Sequence, residues 1–199
     1  MKKLITILLL AVCGLITSVS AEEQTPEQIV EETSIKLLKI INEQSERIKS
    51  EEGYVNKVID ELVLPVIDLQ SMGKLILGKH WKTASEEQRA KFIEQFKSML
   101  TRTYAKSVAD YGDAKVTVFP PQGEQKGKRH RVKTHLDIGS GTPLQVDYVF
   151  RRKDDSWKVF DLVVDGLSLI KNFRTSFSQE ISETSLDALI ARLVSTNAS

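Results

Sequence analysis

Residues 157–173 read WKVFDLVVDGLSLIKNF, and the first eight of them predict a β-strand with two apolar faces, since six of the eight are apolar. Strict alternation divides them between two faces: Trp157, Val159 and Val163 on one, and Phe160, Leu162 and Val164 on the other. A strand with one solvated face would instead alternate apolar with polar residues. We therefore expect either a sheet covered on both faces or a face that lines a cavity.

The surrounding sequence predicts helices before and after a block of strands. Apolar residues recur at helical spacing over residues 25–50, 54–64, 68–77, 86–110, 167–179 and from 182 onward. Four strands in meander order are predicted between 113 and 165, with Asp154-Asp155 as the turn into the Trp157 strand. This order predicts an α+β fold, in which about six helices pack on a curved four-stranded antiparallel sheet.

Capping residues support several of these helix boundaries. Thr25 with Gln28 predicts a capping box at the first helix, and Thr83 with Glu86 predicts another before the longest one. Gly78 suits a helix C-terminus because glycine adopts positive φ without steric cost.

The first 21 residues are typical of a secretory signal peptide. A short basic start precedes a mostly apolar run from Leu4 to Ile16, and Val19 and Ala21 occupy the small-residue positions before a cleavage site. A lipidation site at Cys13 is the alternative, although the preceding valine is bulkier than such sites usually accept. We therefore expect the protein to be exported from the cytoplasm.

Residues 22–199 are expected to form one domain that depends on its core. Cys13 is the only cysteine, so this part of the chain has neither a disulfide nor a thiolate metal ligand. The predicted parts are a helical part at 25–111, a sheet at 113–165 and C-terminal helices at 167–196. Without Lys2 and Lys3 the formal charge changes from +1 to −1, which argues against a nucleic-acid-binding protein.

Catalytic and metal-binding patterns are weak in this sequence. His80, His130 and His135 are too scattered for a ligand pair on one helix turn, so we expect no metal and interpret them as surface or hydrogen-bonded histidines. Ser168 lacks the glycine spacing of a nucleophile elbow and is better explained as a helix cap. Asp161 could be a buried base, but a carboxylate that accepts hydrogen bonds from a neighbouring strand or helix end is the favoured interpretation.

A cluster of positively charged residues follows the first predicted strand. It comprises Lys126, Lys128, Arg129, Arg131 and Lys133, of which Arg129, Arg131 and Lys133 would share one strand face. A solvated face is the simpler interpretation. The functional alternative is contact with phosphate head groups or with an acidic partner.

Two longer strings resemble the MlaC family, also called the toluene-tolerance family, whose members are periplasmic phospholipid-binding proteins of the Mla lipid-transport pathway. They are LILGKHWKTASEEQRAKFIEQFKSMLTRTYAKSVADY and WKVFDLVVDGLSLIKNFRTSF. The matching positions are Leu77, Gly78, Trp81, Gln88, Phe92, Phe96, Leu100 and Tyr104 in the first, and Trp157, Asp161, Gly166, Ser168, Leu169, Arg174 and Phe177 in the second.

This resemblance implies an NTF2-like curved sheet with an apolar pocket that holds the acyl chains of a phospholipid as cargo. It implies a non-enzymatic carrier, without cofactor or nucleic acid, that shuttles lipid between two complexes and maintains outer-membrane lipid asymmetry. The implied partners are an outer-membrane lipoprotein and porin complex, and an inner-membrane ABC transporter with an MCE-domain component. A periplasmic enzyme or a chaperone with an apolar cavity is the alternative.

Apolar residues on the predicted faces are the candidates for contact with the lipid. They are Met72, Leu75, Ile76, Phe96, Leu100, Tyr104, Val146, Tyr148, Val163, Leu167 and Ile170. Each could equally belong to an ordinary core, because periodicity identifies a buried face but not its neighbour. Arg129, Arg131 and Lys133 are the candidates for contact with the head group or a partner.

Overall fold

A computed structural model describes residues 23–51, 53–108, 113–121, 127–139 and 141–198. The predicted signal peptide and Cys13 lie outside these residues. Within them, no helix combines the length and the apolar composition that crossing a membrane requires.

The described chain has the predicted α+β order, with helices before and after an antiparallel sheet. The helices are α1 (Pro26–Glu43), α2 (Ser45–Ser50), α3 (Tyr54–Val58), α4 (Leu69–Leu77), α5 (Lys79–Thr83), α6 (Glu86–Val108), α7 (Leu169–Glu183) and α8 (Leu186–Ala198). The strands are β1 (Lys115–Val118), β2 (Arg129–Asp137), β3 (Leu144–Lys153), β4 (Ser156–Val164) and β5 (Leu167–Ser168). The two-residue β5 and the short helices α2 and α5 were not predicted.

The five strands pair in sequence order as an antiparallel meander. The predicted turn between β3 and β4 is confirmed, since Asp154 and Asp155 have φ of 47° and 57°. Positive φ at both central residues matches the twist of a two-residue hairpin, and aspartate tolerates it better than most side chains.

A β-bulge in β4 changes which residues share a face. Val159 pairs with Phe150 and Asp161 pairs with Val149, so Phe160 is an extra residue without a partner in β3. The prediction of strict alternation is therefore wrong beyond Phe160. Residues after the bulge change sides: Trp157, Val159, Leu162 and Val164 share one face, whereas Asp161 and Val163 lie on the opposite face.

Apolar clusters cover both faces of β4 along much of its length. On the face of Val159, which we call the α1 face, Ile29 and Val30 of α1 pack in a cluster with Val132 and Phe150. On the other face, Phe160 packs with helices α4, α6, α7 and α8. The structure thus confirms that the strand from Trp157 has protein on both sides.

Helix starts follow the capping rules, although not always at the predicted residues. The capping box of Thr25 and Gln28 is confirmed. The box before α6 is instead formed by Ser85 and Gln88, which exchange side-chain to backbone hydrogen bonds of 3.0 and 3.1 Å. Thr83 donates to the carbonyl of His80, so the predicted box at Thr83 is wrong.

Three predicted helices differ in length from the structure. The first ends at Gln44, which has φ −119° and ψ 22°, and the chain restarts as α2. The second widens into a π-helical turn at Ile59–Val63 and then a 3-10 turn at Leu64–Val66. Pro65 explains this change, because a proline ring clashes with the carbonyl four residues earlier in a regular α-helix. The last helix starts after Ser185, not at 182.

Asp68 joins the start of α4 to the sheet. Its carboxylate accepts hydrogen bonds from the backbone and hydroxyl of Ser71, and its backbone N–H donates to the carbonyl of Val159 at 2.8 Å. Lys153 lies 3.0 Å and Arg151 3.7 Å from the carboxylate oxygens. Burial alone would raise the pKa of Asp68, but the hydrogen bonds from Ser71 and Lys153 outweigh it and hold the pKa below its usual value.

Asp68→Asn is expected to lower the free energy of unfolding near pH 7 by about 2 kcal/mol, because the buried side chain loses its charge-assisted hydrogen bonds from Ser71 and Lys153. A carboxyl group whose pKa is lower in the folded than in the unfolded state stabilises the fold at pH values above its unfolded-state pKa of about 4. This stabilisation is lost as the pH falls through the folded-state pKa. Urea unfolding between pH 2 and 7 measures both effects. The acid dependence of stability should be shallower in Asp68→Asn, and parallel curves for the two proteins would contradict this role of Asp68.

Candidate functional site

An apolar surface continues along the α1 face beyond the fully buried part of the sheet. We call it the apolar tract, and it comprises Val116, Leu136, Leu144, Val146, Tyr148, Leu162 and Val164. Val116, Leu136 and Leu144 pair in one cross-strand row, Val146 pairs with Val164, and Tyr148 pairs with Leu162.

Burial decreases along this face of the sheet. Val132 and Phe150 have no accessible surface, whereas Leu144, Val146 and Leu162 are half-buried and Val164 is 38% exposed. The structure therefore shows apolar side chains on a sheet face that α1 covers only in part.

A groove of about 400 Å³ between α1 and β1 adjoins the apolar tract. Its apolar lining comes from Ile35 and Leu38 of α1, and from Val116, Val118 and Phe119 at the edge of the sheet. Its volume lies in the range that holds small organic ligands. Val116 belongs to both, so the groove adjoins the tract, and Glu27, Glu31 and Ser34 of α1 make its lining partly polar.

Tyr148 lies at the buried side of the tract. Its side chain retains accessible surface, yet burial raises the pKa of its hydroxyl. Both observations fit a side chain that lines a recess and not the outer surface. The phenol is therefore neutral at physiological pH and places no charge in the recess.

The charged residues of β2 lie on the opposite face of the sheet. Arg131 pairs with Asp147 at 3.0 Å, and Arg129 places its guanidinium 5.5 Å from the ring centre of Phe160. Lys133 shares this face, as strand alternation predicts. The predicted cationic stripe is thus present, but it is separated from the apolar tract by the thickness of the sheet.

Comparison with known proteins assigns this chain to a family. The sequence model of the MlaC protein matches residues 31–195. The chain belongs to the MlaC family. A curated relative, the intermembrane phospholipid transport system binding protein MlaC of Haemophilus influenzae, is 24% identical over 197 residues, which cover 97% of this chain and 92% of the relative. The toluene tolerance protein ttg2D of Pseudomonas putida is 28% identical over 82% of this chain and 76% of its own length.

A solved structure supports the fold of this MlaC-family chain. The phospholipid-binding protein from Ralstonia solanacearum, in complex with a phospholipid, matches with a TM-score of 0.81 at 24% identity. The match covers 88% of this chain and 98% of that protein. The predicted arrangement of helices on an antiparallel sheet is therefore shared with a solved relative.

The predicted lipid-contact residues divide between two regions of the MlaC-family fold. Met72, Ile76, Phe96 and Ile170 are buried in the cluster of α4, α6, α7 and α8, and Leu75 and Leu100 pack against it. Val146 and Tyr148 lie in the apolar tract. Val163 is buried on the face opposite the tract, and Leu167 is 76% exposed on β5. The side chain of Tyr104 lies outside the described residues. Contact of each with lipid stays a prediction.

Asp161 has the capping role that the sequence favoured. It accepts hydrogen bonds from the hydroxyl of Ser168 at 2.7 Å and from the backbone N–H of Ile170 at 3.1 Å. The hydroxyl of Ser168 accepts from Lys171, which confirms Ser168 as the N-cap of α7. Because of the bulge, Asp161 does not share a face with Trp157 as predicted, and both its oxygens serve the start of α7.

The three histidines have different environments. Nε2 of His130 lies 2.6 Å from the carboxylate of Glu27, and His135 makes an edge contact with Phe119. His80 differs from the prediction, because its buried Nε2 has no hydrogen-bond partner among the described residues. Burial, together with the charge of Lys79, lowers the pKa of His80, which keeps the ring neutral. The described residues contain no group of three or more metal-ligating side chains.

Several members of the apolar tract were not among the predicted lipid-contact residues. Leu136 and Leu144 follow strand alternation and could have been found from it. Leu162 and Val164 could not, because the bulge at Phe160 moves them to the α1 face.

Proposed function

We propose that this protein carries phospholipid between membranes, with the acyl chains bound along the apolar tract and the adjoining groove. The observation that carries the proposal is an apolar sheet face that remains partly accessible although it lies beneath α1. Membership of the MlaC family supports the same conclusion, as do two relatives that are named for phospholipid transport and phospholipid binding.

The energetics of such a site favour a carrier over free diffusion of the lipid. Each buried methylene contributes about 0.8 kcal/mol, so two acyl chains are worth on the order of 20 kcal/mol relative to water. Lipid therefore does not cross an aqueous gap unassisted at a useful rate. A bilayer offers the same chains a similar environment, so transfer between bilayer and protein is nearly neutral and partner contact can set its direction.

The head group is expected to remain in water. Val164 lies at the accessible end of the tract, whereas Val132 and Phe150 close the other end. Burying a phosphate without paired cations is costly, so the acyl chains should enter first and point towards Val132. Val146 and Tyr148 are the predicted residues that best fit contact with these chains.

Location and partners complete the proposal. The signal-peptide pattern at 1–21 and the word intermembrane in a relative's name support transport across the periplasm. We propose exchange with an outer-membrane lipoprotein and porin complex and with an inner-membrane ABC transporter that has an MCE-domain component, maintaining the lipid asymmetry of the outer membrane. The protein is proposed to act without catalysis, since Asp161 is engaged as a cap.

Mass spectrometry under native conditions tests the proposal. Protein purified without detergent should carry an adduct of phospholipid mass, and delipidated protein should regain it from phospholipid vesicles. Bare protein that takes up no lipid would contradict the proposal. Suppression of client aggregation by lipid-free protein would indicate a chaperone instead.

A further inference from the structure

The face opposite the apolar tract carries cations in register on three neighbouring strands. Arg129 of β2 pairs with Arg151 of β3, and Arg151 pairs with Lys158 of β4. We call these three residues the cationic row. Like charges directly opposite each other on paired strands destabilise a sheet. Repulsion within the cationic row therefore destabilises this part of the sheet, which suggests that these residues have a role other than stabilising the fold.

Further cations flank the row on the same face. Arg131 and Lys133 follow Arg129 at alternate positions of β2, and Lys153 follows Arg151 on β3. Six cationic side chains thus share this face, and two carboxylates, those of Asp68 and Asp147, pair with three of them. Asp137 and Asp161 also lie on this face, where Asp137 accepts from the backbone N–H of Gly139 and Asp161 caps α7.

The two carboxylates lie beneath the cations. The side chains of Asp68 and Asp147 are 1% and 4% exposed, whereas those of their partners Arg131, Arg151 and Lys153 are 50%, 43% and 38% exposed. The surface that meets solvent is therefore positive even where each cation has an acidic partner.

Two members of the row have other contacts. Arg129 lies over the ring of Phe160, and the ammonium of Lys158 donates to the carbonyl of Pro65 at 2.6 Å. In the described parts of the chain, neither of these cations forms an ion pair with a carboxylate. Both keep their full charge available to an external anion.

We propose that this face docks an acidic protein surface. Alternate residues of a strand are about 6.6 Å apart, and residues i and i+4 of a helix are about 6 Å apart along its axis. A helix with carboxylates at i, i+4 and i+8 therefore matches the spacing of Arg129, Arg131 and Lys133. The cations of three strands provide parallel lines of charge for such a helix.

The position of the row favours a protein over a membrane. This step depends on the proposed function, in which lipid enters on the α1 face. An anionic bilayer held by the row would meet the opposite face and turn the apolar tract away from the lipid. A protein partner bound there leaves the tract free to exchange its cargo.

A peptide-binding experiment tests the proposal with the purified protein. The probe is a fluorescent helical peptide with glutamates at i, i+4 and i+8 on one side. Its controls are a glutamine analogue and a peptide with the same glutamates distributed around the helix. Anisotropy titration should show binding of the one-sided peptide, weaker binding of the distributed one, and loss of affinity at about 0.15 M salt relative to low salt.

A matched pair of variants locates the binding surface. Arg129→Gln combined with Arg151→Gln and Lys158→Gln should weaken peptide binding about tenfold. Lys39→Gln combined with Lys49→Gln and Lys57→Gln removes the same charge from exposed positions on α1, α2 and α3, and should change affinity by less than about twofold. If the first combination does not fold, Arg129→Gln alone should still weaken binding about threefold.

The outcomes separate this proposal from the proposed function. Three outcomes would each contradict the proposed docking surface. They are equal losses of peptide affinity in the two variants, no peptide binding by the unaltered protein, and binding of the protein to anionic vesicles but not to the peptide. Lipid uptake should be the same in all these proteins. If none of these proteins takes up lipid but the peptide binds as expected, the docking surface is supported and the proposed carrier function is contradicted.

Discussion

Ile76→Glu is expected to prevent folding. Ile76 has no accessible surface and lies in the cluster formed by α4, α6, α7 and α8. The substitution removes an apolar side chain from this core and leaves an unpaired carboxylate there, at a cost of about 4 kcal/mol or more. This is comparable to the whole stability of many domains. Soluble yield and the thermal transition followed by circular dichroism measure the effect.

Two variants on the same helix serve as controls for Ile76→Glu. Ile76→Val should cost only about 1 kcal/mol, because it deletes one methylene. Lys74→Glu, at an exposed position, should fold normally. A folded Ile76→Glu protein that has lost only its lipid would instead show that Ile76 lines the lipid cavity, as the sequence analysis allowed.

The helical half was largely predictable because helix signals are local. Thr25 and Gln28 stand three residues apart and satisfy each other, and Pro26 is tolerated at the first position. The same capping pattern occurs twice before α6, once at Thr83 with Glu86 and again two residues later at Ser85 with Gln88. The pattern cannot choose between them. The short helix α5, in which Thr83 bonds back to His80, determines the outcome.

The faces of β4 were harder to predict, because one inserted residue reverses every assignment after it. Phe160 is apolar like Val159 before it and Leu162 after Asp161, so nothing in its side chain marks the bulge. The pairing of Val149 with Asp161 reveals it, and this pairing is a contact between strands. Leu162 and Val164 therefore joined the apolar tract only when the register was known.

Contacts between residues far apart in the sequence explain the remaining differences between the predicted and the observed structure. The sequence placed Arg129 and Arg131 on one strand face, and the structure agrees. Arg151 and Lys153 form ion pairs with Asp68, which lies more than eighty residues earlier in the chain, and no local pattern indicates these contacts. Likewise, helical periodicity showed that Ile76 and Phe96 are buried, but not that they pack with each other in one helical cluster.

Val146→Glu is expected to abolish most lipid loading while the protein remains folded. Val146 lies in the middle of the apolar tract, paired with Thr134 and Val164, and it is half-buried. A glutamate there can keep its carboxylate hydrated in the empty protein, so folding survives. Acyl chains along the tract would strip that water from the charge, which costs more than the about 1.4 kcal/mol that corresponds to tenfold weaker binding. Equilibrium transfer of labelled phospholipid from vesicles measures the loss.

Val194→Glu provides the matched control for Val146→Glu. Val194 is 38% exposed on α8, outside the tract, so the same chemical change there should leave lipid loading within about twofold of the unaltered protein. Val146→Thr keeps a β-branched side chain and adds no charge, so it should reduce loading less than the glutamate does. Because Val146→Glu adds a charge only where the acyl chains are proposed to lie, full loading of that variant would show that the lipid does not occupy the apolar tract. Equal losses in Val146→Glu and Val194→Glu would trace the effect to net charge and would also exclude the tract as the cause.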